Sequence, residues 1–393
     1  MVDHSKAKIG AGTCSNQQEN NQQVMIRIRY PKDPEKPDAF QDNYFEKLSE
    51  AFDNLSLIEK DLEKVKTIAG TKLTFKNLVT APFVELSSLS ADLNALSKAA
   101  RKRLGKLIDY SRLQPTIADF FMQEMSSELH SCFYCNIDTI YAFTEIGAYS
   151  DTIQFINQAD SKELQLVNHI GPVTAAAIIA KRKVHPISSL DELNLRPQVI
   201  DAIKTAHQTP THNHFTLDHF FHQQAHPFLC LSLFNFVPCC YACNSKFKGT
   251  KKLYSTSSSL SSPSSSDYKF ADDVRFKLFF KVEKDEVKTA DDFTVDLVTE
   301  RNVLDHQEFI SVLKLRGRYV HHKKEALKLL LLKQKYPDSA LEQLSAVTGL
   351  PVDQIKRDLF GADLFEAAFD HAGLVKYRRD IAQGIDVRGV RET

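Results

Sequence analysis

Apolar residues at Phe45, Leu48, Phe52, Leu55, Ile58, Leu62 and Val65 recur every three or four positions. That spacing draws one stripe on an α-helix, so it predicts a long helix over 45–65 packing into a helical core. The same periodicity predicts helices over 86–107 and 116–129. Period-two patterning is rarer. "VMIRIRY" at 24–30 alternates β-branched and charged residues and predicts a short strand, and "VRFKLFFKV" and "DFTVDLVT" predict two more. From Gln307 onward the pattern turns helical again, beginning with the stripe Phe309, Val312 and Leu313. "ALEQLSAVTG" and "DQIKRDLFG" each run into a glycine, a common way for a helix to end. No window approaches the ~20 apolar residues of a membrane span; "ALKLLLLK" is far too short.

Between these segments lie stretches without periodicity. Residues 1–22 are rich in Gln, Asn and Ser and are expected to be disordered. They lack the apolar core of a secretory signal, so a cytoplasmic location is expected. The Ser-rich run at 255–267 has too little apolar content to pack and reads as a linker. The expected organisation is an N-terminal strand and helical domain (23–125), a core in two parts (126–150 and 211–254) around an insertion (151–210), and a C-terminal strand pair and helical domain (268–393). The fold class is α+β, mostly helical.

Composition narrows this little. The 393 residues have room for two or three domains. Formal net charge is zero, so no global field favours a polyanion. Local basic runs remain: Lys98, Arg101, Lys102, Arg103 and Lys106 in one helix, and His321, His322, Lys323 and Lys324 in another. Both read first as solvated helix faces, with phosphate contact the alternative for the earlier run.

The cysteines change the picture more. There are seven, an odd number for a disulfide framework, and in a reducing compartment clustered thiols more often bind metal. Cys132 and Cys135 form one C-x₂-C knuckle, and Cys240 and Cys243 form a second about a hundred residues later. Two thiolates from one tight turn reach the same tetrahedral ion, and two such turns complete the Cys₄ set of a closed, structural Zn²⁺ site. Cys239 adjoins the second knuckle but has the wrong spacing. Cys14 and Cys230 have no partners and read as incidental or buried thiols.

The segment between the knuckles is too long for a loop and should hold a module of its own. "DSKELQLVNHIGPVTAAAIIAKRKVHPISSLDEL" gives an apolar helix, a tight "HIGP" turn in which Gly171 permits a positive φ, and a second helix rich in small residues. Free N–H groups at such a turn can meet a phosphate without reading bases. The stretch resembles the helix-hairpin-helix of DNA-uptake and repair proteins. That resemblance implies DNA-backbone contacts from Ile170, Gly171, Thr174, Lys181 and Arg182. His169 departs from it, standing where the family usually has glycine.

The residues before the second knuckle carry a further resemblance. "LDHFFHQQAHPFLCLSLFNFVPCCYACNSKFKG" holds Asp218-His219, then Asn235, then Asn244 directly after Cys243. This order resembles HNH endonucleases with a ββα-metal core and a Cys₄ zinc, over about 35 residues, and "CFYCNI" matches upstream. The resemblance implies hydrolysis of phosphodiester bonds in DNA, with little sequence preference. His219 would be the general base, Asp218 and Asn244 ligands of a catalytic Mg²⁺ or Mn²⁺, and Asn235 the residue that fixes the loop and orients His219. Lys246 and Lys248 would hold flanking phosphates. Stand-alone HNH proteins with helical flanks resemble effectors of bacterial antiviral defence, which implies an ATPase or other defence-system subunit as partner, and no membrane. The alternatives are a non-catalytic or partner-activated DNA-binding adaptor and a site-specific mobile-element nuclease.

Overall fold

The computed structural model describes residues 27–52, 55–65, 72–144, 149, 151–206, 211–253, 262–301 and 303–391. The expected disorder at 1–22, and Cys14 with it, lies outside these residues. The described chain is mixed α and β and mostly helical, with small two-stranded antiparallel sheets.

The N-terminal body is built from α1 (Ala39–Glu50), α2 (Leu55–Leu62), α3 (Phe75–Thr80), α4 (Phe83–Asn94), α5 (Lys98–Leu107) and α6 (Tyr110–Glu124). The apolar stripe expected on one long helix is therefore shared between α1 and α2. On α1 the buried residues are Phe40, Tyr44 and Leu48, successive positions four apart on one face, so of the expected stripe Leu48 is buried while Phe45 is only half-buried. Side-chain caps start several of these helices: Thr74 accepts from the Asn77 N–H, Ser97 from Ala100 and Asp109 from Ser111.

The strand expected at 24–30 is not seen in its described part. Ile28 is buried, and its N–H goes to the Pro263 carbonyl at 2.8 Å rather than into a ladder. The partner segment belongs to the Ser-rich run, which is thus not wholly a solvated linker. Ser262, Ser264 and Ser265 are buried, and the Ser264 hydroxyl donates to the Phe234 carbonyl at 2.5 Å. A polar stretch can be buried when its groups find partners inside, which counting apolar residues does not reveal.

The insertion begins at β1 (Ala142–Thr144), continues through α7 (Thr152–Gln158), α8 (Ser161–Gln165), α9 (Pro172–Val184) and α10 (Pro197–Ala206), and returns at β2 (Thr211–Asn213). β1 and β2 pair antiparallel, Ala142 opposite Asn213, so chain entry and exit lie side by side. The module has its own hydrophobic cluster, including Phe155, Leu164, Ile170, Ile178 and Ile203, separate from the main core. That is the property expected of an inserted unit.

Next come β3 (Thr216–His219) and β4 (Phe236–Cys239), an antiparallel pair with His219 opposite Phe236, and then a short π-helix, Ala242–Lys248. The C-terminal part holds α11 (Phe270–Asp273), β5 (Val274–Phe280), β6 (Phe293–Thr299), α12 (Val303–Val312), α13 (Leu315–Tyr319), α14 (Lys323–Lys335), α15 (Asp338–Thr348), α16 (Val352–Phe360) and α17 (Val375–Gly384). β5 and β6 are the two strands predicted from alternation. Gly349 and Gly361 end α15 and α16 with φ of 72° and 102°, as glycine there allows. This part shares the main core: Phe276, Tyr319 and Tyr377 cluster with residues of the first knuckle. Asp370 is buried among Arg29 and Arg379, each at 2.7 Å, and Arg391 at 3.2 Å. An Arg29–Asp370 pair joins the two ends of the described chain.

Candidate functional site

Cys132, Cys135, Cys240 and Cys243 come together as expected. All four are buried, and their Sγ atoms lie within 4.8 Å of one another. A tetrahedral Zn²⁺ with Zn–S near 2.3 Å puts its sulfurs about 3.8 Å apart, so the set fits the ion with modest contraction. None is in a disulfide. Backbone amides already point at the sulfurs: the Ile137 N–H at Cys135 (3.5 Å), Cys240 at Cys132 (3.3 Å) and Cys243 at Cys240 (3.4 Å). Such donors stabilise thiolates, the form a metal needs. Hydrogen bonding from Cys132 lowers the Cys240 thiol to about 6. Cys239 lies apart, its sulfur 3.6 Å from the Thr216 hydroxyl, and Cys230 is a buried free thiol.

Arg318, on α13, completes this centre, and nothing in the sequence marks it. Its guanidinium donates to Cys243 Sγ at 3.1 Å and Cys135 Sγ at 3.2 Å, and pairs with Asp138 at 2.9 Å. Burial disfavours its charge, but the sulfurs of Cys135 and Cys243 prevail and hold the proton more firmly than usual. Four thiolates around Zn²⁺ carry a net charge of −2, which a neighbouring guanidinium offsets. The next residue adds a second tie, the Tyr319 hydroxyl donating to the Cys135 carbonyl at 2.6 Å.

Above the cysteines stands the β3–β4 hairpin. Asn235 is buried at the end of its loop and hydrogen-bonds within it. Its Oδ1 accepts from the Phe221 N–H at 2.8 Å, and its Nδ2 donates to the Phe221 and Leu229 carbonyls at 3.2 and 3.0 Å. One side chain thus ties both arms of the loop. His219 is half-buried, with Nε2 2.9 Å from the Cys230 carbonyl. A carbonyl only accepts, so Nε2 carries the proton and Nδ1 keeps its lone pair. Burial lowers the imidazole to about 4, so it is neutral at physiological pH. The Tyr110 ring meets it edge-on with centroids 4.5 Å apart, and Phe236 lies at 4.8 Å.

Asp218 and Lys248 depart from expectation. Lys248, expected at a flanking phosphate, is buried instead. Its Nζ donates to Asp218 Oδ1 and to the His219 carbonyl, both at 2.8 Å. The second Asp218 oxygen accepts from the Tyr134 hydroxyl at 2.6 Å. Burial pushes the Asp218 carboxyl up while Lys248 pulls it down. Both carboxylate oxygens therefore have partners, and one of those partners is an ammonium. Tyr134 lies inside the first knuckle, between Cys132 and Cys135, so the site's geometry runs through the zinc turn. Asn244 is half-exposed on the π-helix immediately after Cys243, and Lys246 is exposed beside it. π-turns are rare and often occur at functional sites.

In the insertion, Ile170 is buried in the module core, Gly171 is exposed as the residue before α9, Thr174 and Lys181 are half-buried, and Arg182 turns inward to donate to the Ile156 carbonyl at 2.7 Å. One N–H of the Arg182 guanidinium is thus engaged inside the module. The positive φ expected at Gly171 occurs instead at His169, φ 70°; Gly171 is extended at φ −88°. This is the position where the resembling family has glycine, and a side chain there is strained. Compared with family models, with curated proteins and with solved structures, the chain matches none.

Proposed function

We propose that this protein is a metal-dependent HNH-type endonuclease hydrolysing phosphodiester bonds in DNA. The observation that carries this reading is the hairpin-then-helix unit over the Cys₄ cluster, which presents His219 and Asn244 in the order the resemblance requires. His219 acts as general base: its Nδ1 lone pair takes the proton of the attacking water while the Cys230 carbonyl fixes the ring. An imidazole of low basicity is unprotonated at neutral pH and gains basicity beside an anionic phosphate. Asn235 holds the loop that supplies this carbonyl. Asp218 and Asn244 would supply the oxygen donors for Mg²⁺ or Mn²⁺, once Lys248 and Tyr134 give up the Asp218 carboxylate. When bound, such a cation supplies positive charge to the scissile phosphate and the leaving oxygen. Zn²⁺ at the cysteines would take no part in the chemistry and would tie the 132–135 turn to the segment 240–243.

The exposed turn at Gly171, with Thr174 in the first turn of α9 beside it, supports a DNA substrate, while Lys181 lies at the far end of that helix; Lys246 adds a cation near the site. A defence-system role with an ATPase partner rests on resemblance alone. The Lys248–Asp218 pair supports a second reading, a DNA-binding adaptor that is non-catalytic until a partner displaces Lys248. Supercoiled plasmid incubated with zinc-loaded protein and Mg²⁺ or Mn²⁺, beside a His219→Ala variant of equal zinc content, separates the two. Nicking by the parent protein alone supports the nuclease. Binding without nicking by either protein favours the adaptor.

A further inference from the structure

α5 presents Lys98, Arg101, Lys102 and Gly105 at helical spacings of three, four and seven, hence on one face. All four are exposed, and among the described residues no carboxylate pairs with the three cations. Arg103 differs, being engaged with the buried carboxylate of Asp61. The basic face borders an open recess of about 470 Å³, whose other walls are Asn94, Pro227 and Phe228. Pro227 and Phe228 belong to the loop between His219 and Asn235, three and two residues before the carbonyl that holds the His219 ring. The far end of α5 touches the same loop, with Cys230 Sγ 3.9 Å from the Ile108 carbonyl, and the next helix opens with Tyr110 against His219. The basic face is therefore continuous with the loop whose Cys230 carbonyl holds the candidate base.

Gly105 adds a second observation. Glycine within a helix costs up to ~1 kcal/mol relative to alanine, yet a Cβ built there would meet nothing within 4 Å. Internal packing does not require the glycine; close approach of something from outside would use it. We infer that this face of α5 is a track for the nucleic-acid backbone, holding phosphates that flank the one presented to His219. The inference rests on the nuclease reading and names how that site grips its substrate. Contacts of this kind position the strand without reading its sequence. Together with Lys246 and the hairpin turn, they give the chain local grip on a polyanion despite its zero net charge.

The test is the salt dependence of binding to a fluorescent duplex oligonucleotide, with Mg²⁺ omitted, for the full zinc-loaded chain. A Lys98→Gln/Arg101→Gln/Lys102→Gln variant is compared with the parent and with a Lys60→Gln/Lys324→Gln/Lys328→Gln control that removes equal charge elsewhere. Each lost phosphate contact lowers the slope of log K against log salt by about 0.9. The α5 variant should lose two to three units of slope and at least tenfold in affinity, while the control keeps the parent slope. Equal slopes for parent and α5 variant, equal losses in variant and control, or no duplex binding by the parent would each overturn the inference. Hydrolysis of bis(p-nitrophenyl) phosphate, too small to reach α5, reports the nuclease reading separately. Loss of that activity in His219→Ala but not in the α5 variant keeps the two claims distinct.

Discussion

Replacing Lys248 with methionine exposes the energetics of the site directly. The Lys248 and Asp218 side chains are 0% and 5% exposed, and the Nζ–Oδ1 distance is 2.8 Å. Methionine fills a similar volume but leaves the Asp218 carboxylate buried without its cation. Its remaining recourse is to take up a proton. At pH 7, protonating a carboxyl whose unfolded pKa is ~3.9 costs about 4 kcal/mol at 1.36 kcal/mol per unit. The lost bond to the His219 carbonyl adds roughly 1 kcal/mol. The sum agrees with the ~3–5 kcal/mol typical of breaking a buried ion pair from one side. The sign with pH follows from linkage. In the variant the folded pKa of Asp218 lies well above its unfolded value, so the penalty is full at high pH and shrinks as pH falls toward the unfolded value. Two units, from pH 7 to pH 5, should return about 2.7 kcal/mol. The chain has no tryptophan, so urea unfolding is best followed by far-UV circular dichroism on zinc-loaded protein at both pH values. A loss below about 1 kcal/mol, or an equal loss at pH 7 and pH 5, would refute the reasoning by showing that Asp218 does not depend on Lys248.

Two further outcomes follow from the same structure. Arg318→Met removes the guanidinium from Cys135 and Cys243, and zinc release to a chromogenic chelator should quicken about tenfold, in line with losing a neighbouring group that supports a metal ligand; unchanged release, with unchanged d–d and charge-transfer bands in the Co²⁺-substituted protein, would remove Arg318 from the centre. Asp61 is held at about 2, chiefly by its hydrogen bond from Arg103 and secondarily by Lys64. Its stability contribution is present above the unfolded value near ~3.9 and is lost as pH falls toward 2. Arg103→Met should therefore lower the thermal midpoint at pH 7 and by only about a third as much at pH 2.5, just above the folded value, and equal shifts at the two pH values would contradict the pairing.

The metal centre was legible because its chemistry is local: each knuckle carries its own spacing, and that spacing alone selected Cys240 over Cys239. Asn235 stood out in the sequence only through resemblance, and its hydrogen bonds to Phe221 and Leu229 could not be read from spacing. Lys248 was not. Lys246 and Lys248 look alike in sequence, but residues two apart on a helix do not share a face, and one is exposed while the other is buried. Arg318 lies 75 residues beyond Cys243, and no local pattern connects it to the thiolates. Tyr134 stood in plain view within "CFYC", yet its hydroxyl partner is 84 residues away. The Ser-rich run misled for a related reason: burial there rests on hydrogen bonds rather than on apolar side chains. At the turn before α9, glycine's permissiveness pointed to Gly171, but the positive φ falls at His169, a residue that rarely adopts it.

The most direct test of the nuclease account measures two metals at once. Purified protein is treated with EDTA and desalted, its zinc is counted by mass spectrometry, and its nicking of supercoiled plasmid is followed as Mg²⁺ is returned. The account predicts one retained Zn²⁺ per chain in the buried cysteine site, no nicking after EDTA, and nicking restored by Mg²⁺ in the parent but not in His219→Ala. Protein that keeps its zinc yet never nicks with Mg²⁺ or Mn²⁺, or that nicks equally in EDTA and without His219, would contradict it.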